Sequence, residues 1–164
     1  MLRYIDTAVV FQEVPGEISL AVNISGCPCR CPGCHSPELW EDRGPVLDME
    51  VMEAMIARNR GITCVCLMGG DAEPESILAL AEAIKHRWPA LKTCWYSGRE
   101  LLEPRTKYVY IDYVKTGPYI KEKGPLSSPV TNQRFYAVSR KGTPNGAEID
   151  MVDMTGIFRQ RQSQ

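Results

Sequence analysis
In 164 residues, Lys+Arg 19 nearly balance Asp+Glu 20, and hydrophobic residues make up 44% of the chain. A single domain of this size buries roughly 70% of its unfolded surface, so its core requires neither disulfides nor a structural metal. The even charge, with no basic tract, argues against a nucleic acid held by its phosphates, and the lack of a long apolar run argues against a signal peptide or membrane span.

Residues 4–11 are rich in β-formers and predict a strand, followed by a turn at Pro15-Gly16. Ile18 to Ile24 is a mostly apolar run, the pattern of a strand buried on both faces in a parallel sheet. Directly after it comes Cys27-Pro28-Cys29-Arg30-Cys31-Pro32-Gly33-Cys34-His35, with four thiols in eight residues. Ligands bind at the C-terminal ends of parallel strands, where loops converge, so this loop is placed for function. Cys27, Cys31 and Cys34 leave three residues in the first gap and two in the second, a loop able to wrap three thiolates around three corners of an iron-sulfur cube. The fourth iron then lacks a protein ligand. Reactive metal sites keep such a position open, whereas structural ones close it. Cys29 falls between the three and is read as a bystander, since Cys-x-Cys-x-Cys is too tight for a usual chelating loop.

Other readings of the loop stay open. Zinc held by Cys27, Cys31, Cys34 and a further Cys or His is chemically sound. Against it, Cys64, Cys66 and Cys94 sit in apolar strand-like runs, where a thiol behaves as a small hydrophobe. Seven cysteines cannot all pair as disulfides, and with no secretory signal the free thiols point to a reducing cytoplasm. A redox dithiol at Cys31-Pro32-Gly33-Cys34 leaves Cys27 unexplained.

Further on, Ser36-Pro37-Glu38 predicts an N-cap, a first-turn proline and an acidic first turn of a short helix through Trp40. Asp48 caps a second helix with Met52, Met55 and Ile56 on one side. Thr63 to Met68 is a buried strand ended by Gly69-Gly70-Asp71, where glycines let the backbone approach a ligand. Ile77, Leu80, Ala81, Ile84 and Trp88 mark an amphipathic helix closed by Pro89, with His86 on its solvated side. A strand over Leu91–Tyr96, a short helix near Arg99–Leu102 and a strand over Tyr108–Val114 follow. Strand, loop and helix recur at intervals suited to right-handed crossovers, so a parallel sheet is the economical arrangement. Gly117 to Thr131 reads as a long loop, Gln133–Ser139 and Glu148–Val152 as strands, and Arg159–Gln164 as a frayed end. One domain, 1–164 with a polar tail from about 155, accounts for the whole chain.

Ser25-Gly26-Cys27, Cys31-Pro32-Gly33-Cys34-His35, Met68-Gly69-Gly70-Asp71, Tyr96-Ser97-Gly98, the run Asp112 to Tyr119, and Thr131-Asn132-Gln133-Arg134 together resemble the radical S-adenosylmethionine (SAM) superfamily. Within it they resemble the activating proteins of anaerobic ribonucleotide reductase, over residues 15 to 140. The resemblance implies an α/β fold, a partial, open βα barrel with a mostly parallel sheet. It implies a radical SAM oxidoreductase that activates a glycyl radical enzyme, with a 4Fe-4S cluster on Cys27, Cys31 and Cys34 and SAM on the unique iron. Gly69, Gly70 and Asp71 then meet the SAM amino group, with Glu73 as the competing acid, while Gly33, Cys34 and His35 lie near its adenine. His35 equally suits simple packing beside the loop. The implied partners are an external one-electron reductant and the large reductase subunit, whose glycine Cα–H yields to a 5'-deoxyadenosyl radical. Radical chemistry on another glycyl radical enzyme or a small molecule, and a zinc-stabilised binding module, are the competing functions.

Overall fold
The apolar runs form seven strands of one sheet, in the order β1-β2-β3-β4-β5-β6-β7, in a computed structural model that describes residues 1–143 and 146–160. They are β1 (Tyr4–Val10), β2 (Ser19–Ile24), β3 (Cys64–Met68), β4 (Lys92–Tyr96), β5 (Tyr113–Thr116), β6 (Arg134–Lys141) and β7 (Glu148–Asp153). β2 to β5 run parallel, whereas β1 pairs antiparallel with β2, and β6 and β7 continue antiparallel from β5. The fold is α/β with a mixed sheet, and the expected predominance of parallel pairing holds only in its centre. Connector length explains two of the antiparallel pairs. A parallel return needs a dozen or more residues, and residues 11–18 and 142–147 are too short for one.

Two helices cover one face of the sheet. In α1 (Met49–Arg58), Asp48 accepts a hydrogen bond from the Val51 amide at 2.9 Å, and Met52 and Met55 turn inward. In α2 (Pro74–Arg87), a first-turn proline starts the helix and Ile77, Leu80, Ala81 and Ile84 are buried. Both helices follow the expected periodicity. They pack on Leu20, Val22, Ile24, Val65, Leu67, Trp95 and Val114, alternate residues of the central strands. The intervening residues Cys64, Cys66 and Cys94 face the other way, in a second core with Val14, Leu126 and Phe135. No helix among the described residues is long and apolar enough to cross a membrane.

Three expected elements differ. The helix after Ser36 is a single 3-10 turn, Pro37–Trp40. No helix forms over Arg99–Leu102, and the turn of helix comes instead at Arg105–Tyr108, which delays β5 to Tyr113. Burial of the Tyr108 ring, 1% exposed, with its hydroxyl accepting from the Leu102 amide at 2.9 Å, favours that placement. Of the tail expected to fray, Arg159 and Gln160 lie in a short helix, α3 (Ile157–Gln160), and 161–164 fall outside the described residues.

At the N-terminal edge of the parallel strands, a buried carboxylate ties four elements together. Asp112 accepts from the Thr93 amide at 2.8 Å, from Lys85 Nζ at 3.1 Å and from Arg140 Nη1 at 3.1 Å. Burial by itself would raise the Asp112 carboxyl, but the Thr93 amide, Lys85 and Arg140 outweigh it and hold the group below its ordinary value. Removing one partner of a buried charge cluster leaves the others uncompensated. Asp112→Asn is therefore expected to cost about 3 kcal/mol in urea unfolding at neutral pH. A carboxyl depressed below its unfolded value of about 3.9 stabilises fully above that pH and loses its contribution as pH falls through the folded value. The acid limb of a stability-against-pH curve should accordingly be shallower in Asp112→Asn than in the parent protein. Parallel acid limbs would show that the carboxylate carries no such load.

Candidate metal and cofactor site
Register across the parallel strands puts four residues in one row: Asn23 opposite Met68, Met68 opposite Tyr96, and Tyr96 opposite Lys115. Neighbours in register share a face, and all four line a cavity of about 830 Å³ at the C-terminal ends of β2 to β5. The cysteine loop closes one side of it with Cys27, Cys29, Cys31, Cys34 and His35. Gly117–Thr131, expected as a loop, supplies further lining through Tyr119, Leu126 and Ser127, and it meets the cysteine loop where the Tyr119 ring lies 5.1 Å from that of His35.

Local backbone makes the cysteine loop turn tightly. Arg30 and Gly33 adopt left-handed φ values of 42° and 76°, and the Cys34 amide bonds the Cys31 carbonyl at 3.0 Å. Left-handed backbone is strained for arginine and free for glycine. Cys34 Sγ accepts from the Ser36 amide at 3.4 Å.

Asp71 forms the cavity's buried acid, at 2% exposure. Ser97 Oγ donates to one oxygen at 2.5 Å and the Gly98 amide to the other at 2.9 Å. Cys29 Sγ stands 4.0 Å from the same carboxylate, an approach that requires a glycine at 98, since a Cβ there would lie 2.8 Å from that sulfur. Burial and the Asp71 charge push the Cys29 thiol up to about 12. Lys115 donates to the carbonyls of Gly117 at 2.9 Å and Ser97 at 3.3 Å. Burial lowers its ammonium to about 8 against the opposing pull of Asp71 and Cys31, which still leaves mostly a cation at neutral pH.

Of the residues singled out from sequence, Cys27, Cys31, Cys34, His35, Gly69 and Asp71 line the cavity. Gly33 and Gly70 are not among its lining residues. Gly70 instead makes space in the core, because at φ 83° its missing side chain leaves room for Ile77, whose Cδ1 would lie 2.4 Å from a Cβ. Glu73 also stays outside, where its carboxylate meets Ser76 Oγ at 3.1 Å and the Met1 amino group. Among the described residues, Cys27, Cys29 and Asp71 form the one set of three Cys, His, Asp or Glu donors lying within 4.8 Å of one another. Cys64, Cys66 and Cys94 are fully buried beneath the cavity, and burial pushes the Cys64 and Cys94 thiols up.

Residues 15–136 match the model of a family described as "4Fe-4S single cluster domain". The chain belongs to that family. A Haemophilus influenzae protein named "Anaerobic ribonucleoside-triphosphate reductase-activating protein" is 28% identical over 142 residues, spanning 77% of this chain and 88% of its own. No solved structure matches the chain. The donor chemistry fits the family's iron-sulfur cluster. Four soft ligands on one tightly turned loop face a cavity large enough for a cluster and a further ligand, and thiolates are the ligands such clusters take. Three thiolates that bind separate irons of a cube must stand farther apart than ligands of one ion, and Cys27, Cys31 and Cys34 do not converge on a single point.

Lys115, Ser97, Asn23 and Tyr119 carry no role that the sequence alone assigns. For Asn23 and Lys115 the signal lies in strand register, and for Lys115 also in a lone cation between the buried Val114 and Thr116. Gly70→Ala tests the close contact that shapes the strand-to-helix turn. Left-handed strain and overpacking against Ile77 together should cost about 2 kcal/mol or more in urea unfolding. The penalty should shrink in an Ile77→Ala background; equal penalties in both backgrounds would mean that Ile77 is not what the added methyl meets.

Proposed function
We propose that this chain is a radical SAM activating enzyme in the reducing cytoplasm, with the large subunit of anaerobic ribonucleotide reductase as its protein substrate and an external one-electron reductant. The row Asn23, Met68, Tyr96 and Lys115 facing the cysteine loop across one cavity carries this reading. In it, Cys27, Cys31 and Cys34 hold a 4Fe-4S cluster and leave one iron to SAM. Together the two cofactors supply one-electron cleavage of a carbon–sulfur bond and a radical that abstracts the hydrogen of a glycine Cα–H.

The residues share the binding of SAM according to charge. Asp71 is the anion available to the SAM amino group, with the Gly69 backbone beside it, and its oxygens keep lone pairs beyond those used by Ser97 and Gly98. Lys115 is the cation available to the SAM carboxylate. The backbone of Cys34 and His35, turned by Gly33, forms the adenine side, and the His35 and Tyr119 rings supply an apolar edge. Excluding water strengthens both charge contacts and protects a radical from side reactions. An open βα barrel, in which the face not covered by α1 and α2 admits a glycine-bearing loop, completes the proposal.

Support also comes from the relative's name, which assigns that protein to activation of the anaerobic reductase. The deciding experiment uses anaerobically reconstituted protein. About four irons per chain are expected, with iron retained in Cys29→Ala and lost in Cys31→Ala. Mixed with reductase, SAM and reductant, the protein should give a glycyl radical signal by electron paramagnetic resonance. Silence from a sample with a full cluster would sink the proposed partner. Lys115→Met should keep its iron and weaken SAM binding by about tenfold; unchanged affinity would remove Lys115 from the SAM site.

A further inference from the structure
Cys29 is the thiol that a three-cysteine cluster leaves unused, yet it is half-buried, faces the same cavity and stands 4.0 Å from the Asp71 carboxylate. We infer that, before a cluster is assembled, Cys27, Cys29 and Asp71 hold a single divalent cation of the zinc class. Their donor atoms lie within 4.8 Å of one another. A tetrahedral ion with bonds of about 2.0–2.3 Å sets its ligands roughly 3.5 Å apart, so the three need to close by about an ångström. Two sulfurs and one carboxylate oxygen make a soft donor set suited to such an ion, with the fourth position open to cavity water.

The surroundings are built for ligation. Asp71 is almost fully buried and is aimed by two donors, Ser97 Oγ and the Gly98 amide. Hydrogen-bonded support of this kind orients metal-binding carboxylates. Gly98 has no Cβ to keep Cys29 away. Cys31 and Cys34, the alternative pair for a small chelate, lie outside this set. On binding, the two thiols lose their protons to solvent as two metal–sulfur bonds form. No electron is transferred.

Cys27 cannot serve both groups, so the cation and the cube exclude each other. This second half of the inference rests on the cluster assignment under the proposed function; the first half does not. A bound cation therefore blocks cluster assembly until it is displaced.

The test is an anaerobic cobalt(II) titration of the cluster-free, reduced full-length chain, followed by thiolate-to-cobalt charge-transfer absorption, with zinc competition. One ion per chain is expected. Cys29→Ser and Asp71→Asn should each weaken binding by about tenfold or more, while the double variant Cys31→Ser/Cys34→Ser should bind like the parent. Far-UV circular dichroism identifies any variant that fails to fold, and Cys29→Ala then replaces Cys29→Ser. Sub-stoichiometric binding would overturn the site. So would a tight site that survives Cys29→Ser and vanishes in the double variant, since the ion would then sit on Cys31 and Cys34. In a second arm, zinc loading should slow iron-sulfur reconstitution of the parent and have little effect on Cys29→Ser; equal slowing in both would overturn the competition. Failure of Cys29→Ser to build a cluster even without zinc would overturn Cys27, Cys31 and Cys34 as its sole ligands. The cobalt titration, made without iron or SAM, decides the cation site alone.

Discussion

The site depends on one constraint, that the four parallel strands finish level. Asn23, Met68, Tyr96 and Lys115 are successive partners in register, so their side chains leave the sheet on the same face at the same height. A slip of one residue in any strand would send its member of the row into the helix-covered core. Burial prevents the slip: Val22, Leu67, Trp95 and Val114, one residue back, are all within 1% of full burial. The apolar row thus fixes the polar one, and the hydrophobic effect sets the position of the chemistry.

The two ends of the parallel strands handle charge differently. At one end Asp112 is saturated by Thr93, Lys85 and Arg140, and its charge serves to hold β4, β5, β6 and α2 together. At the other, Asp71 and Lys115 are each braced by neutral groups, hydroxyl, amide and carbonyl. Neutral bracing orients a charged group without neutralising it, which leaves both available to a ligand of opposite charge. Sulfur divides in the same way. Cys64, Cys66 and Cys94 are sealed in the core as small hydrophobes, while the four loop cysteines reach the cavity. Environment separates two classes of the same side chain within one domain.

Much of this is legible in the chain itself. The apolar runs at Ile18–Ile24, Thr63–Met68 and Leu91–Tyr96 become adjacent parallel strands, because a run buried on both faces has few other places to go. The cysteine spacing, the two long helices and the small-hydrophobe character of the buried cysteines are equally plain. Sequence patterns are weakest where tertiary packing outvotes local preference. Tyr108 is a good strand former that ends a turn, since its ring fills the core and its hydroxyl caps a loop amide. Strand direction at β6 is equally hidden, since the connection 117–133 is long enough for either direction and periodicity says nothing about polarity along the chain. Lys115 can be found only by register, a property of pairs of strands rather than of either sequence.

Helices α1 and α2 pack on one face of the sheet, while the other face is covered by Val14, Leu126 and Phe158 from connecting segments and a short terminal helix. Loops are easier to displace than packed helices, because fewer buried contacts and backbone hydrogen bonds are lost. A cavity intended only for a small molecule gains nothing from such a cover. Under the function proposed above, a backbone glycine of another protein must come next to a buried reactive atom, and that calls for a wall that yields over several residues. The Gly117–Thr131 segment is tied to the body by Leu126 in the second core and by hydrogen bonds: the Gly117 amide to the Arg99 carbonyl, Lys115 and Gln133 to the Gly117 carbonyl, Asn132 to that of Pro118, and Arg134 to that of Thr131. Because Lys115 also reaches the Ser97 carbonyl beside Asp71, a carboxylate that drew the ammonium away would loosen the loop and the acid's support together. Ligand binding and opening of the wall would then be coupled through one side chain.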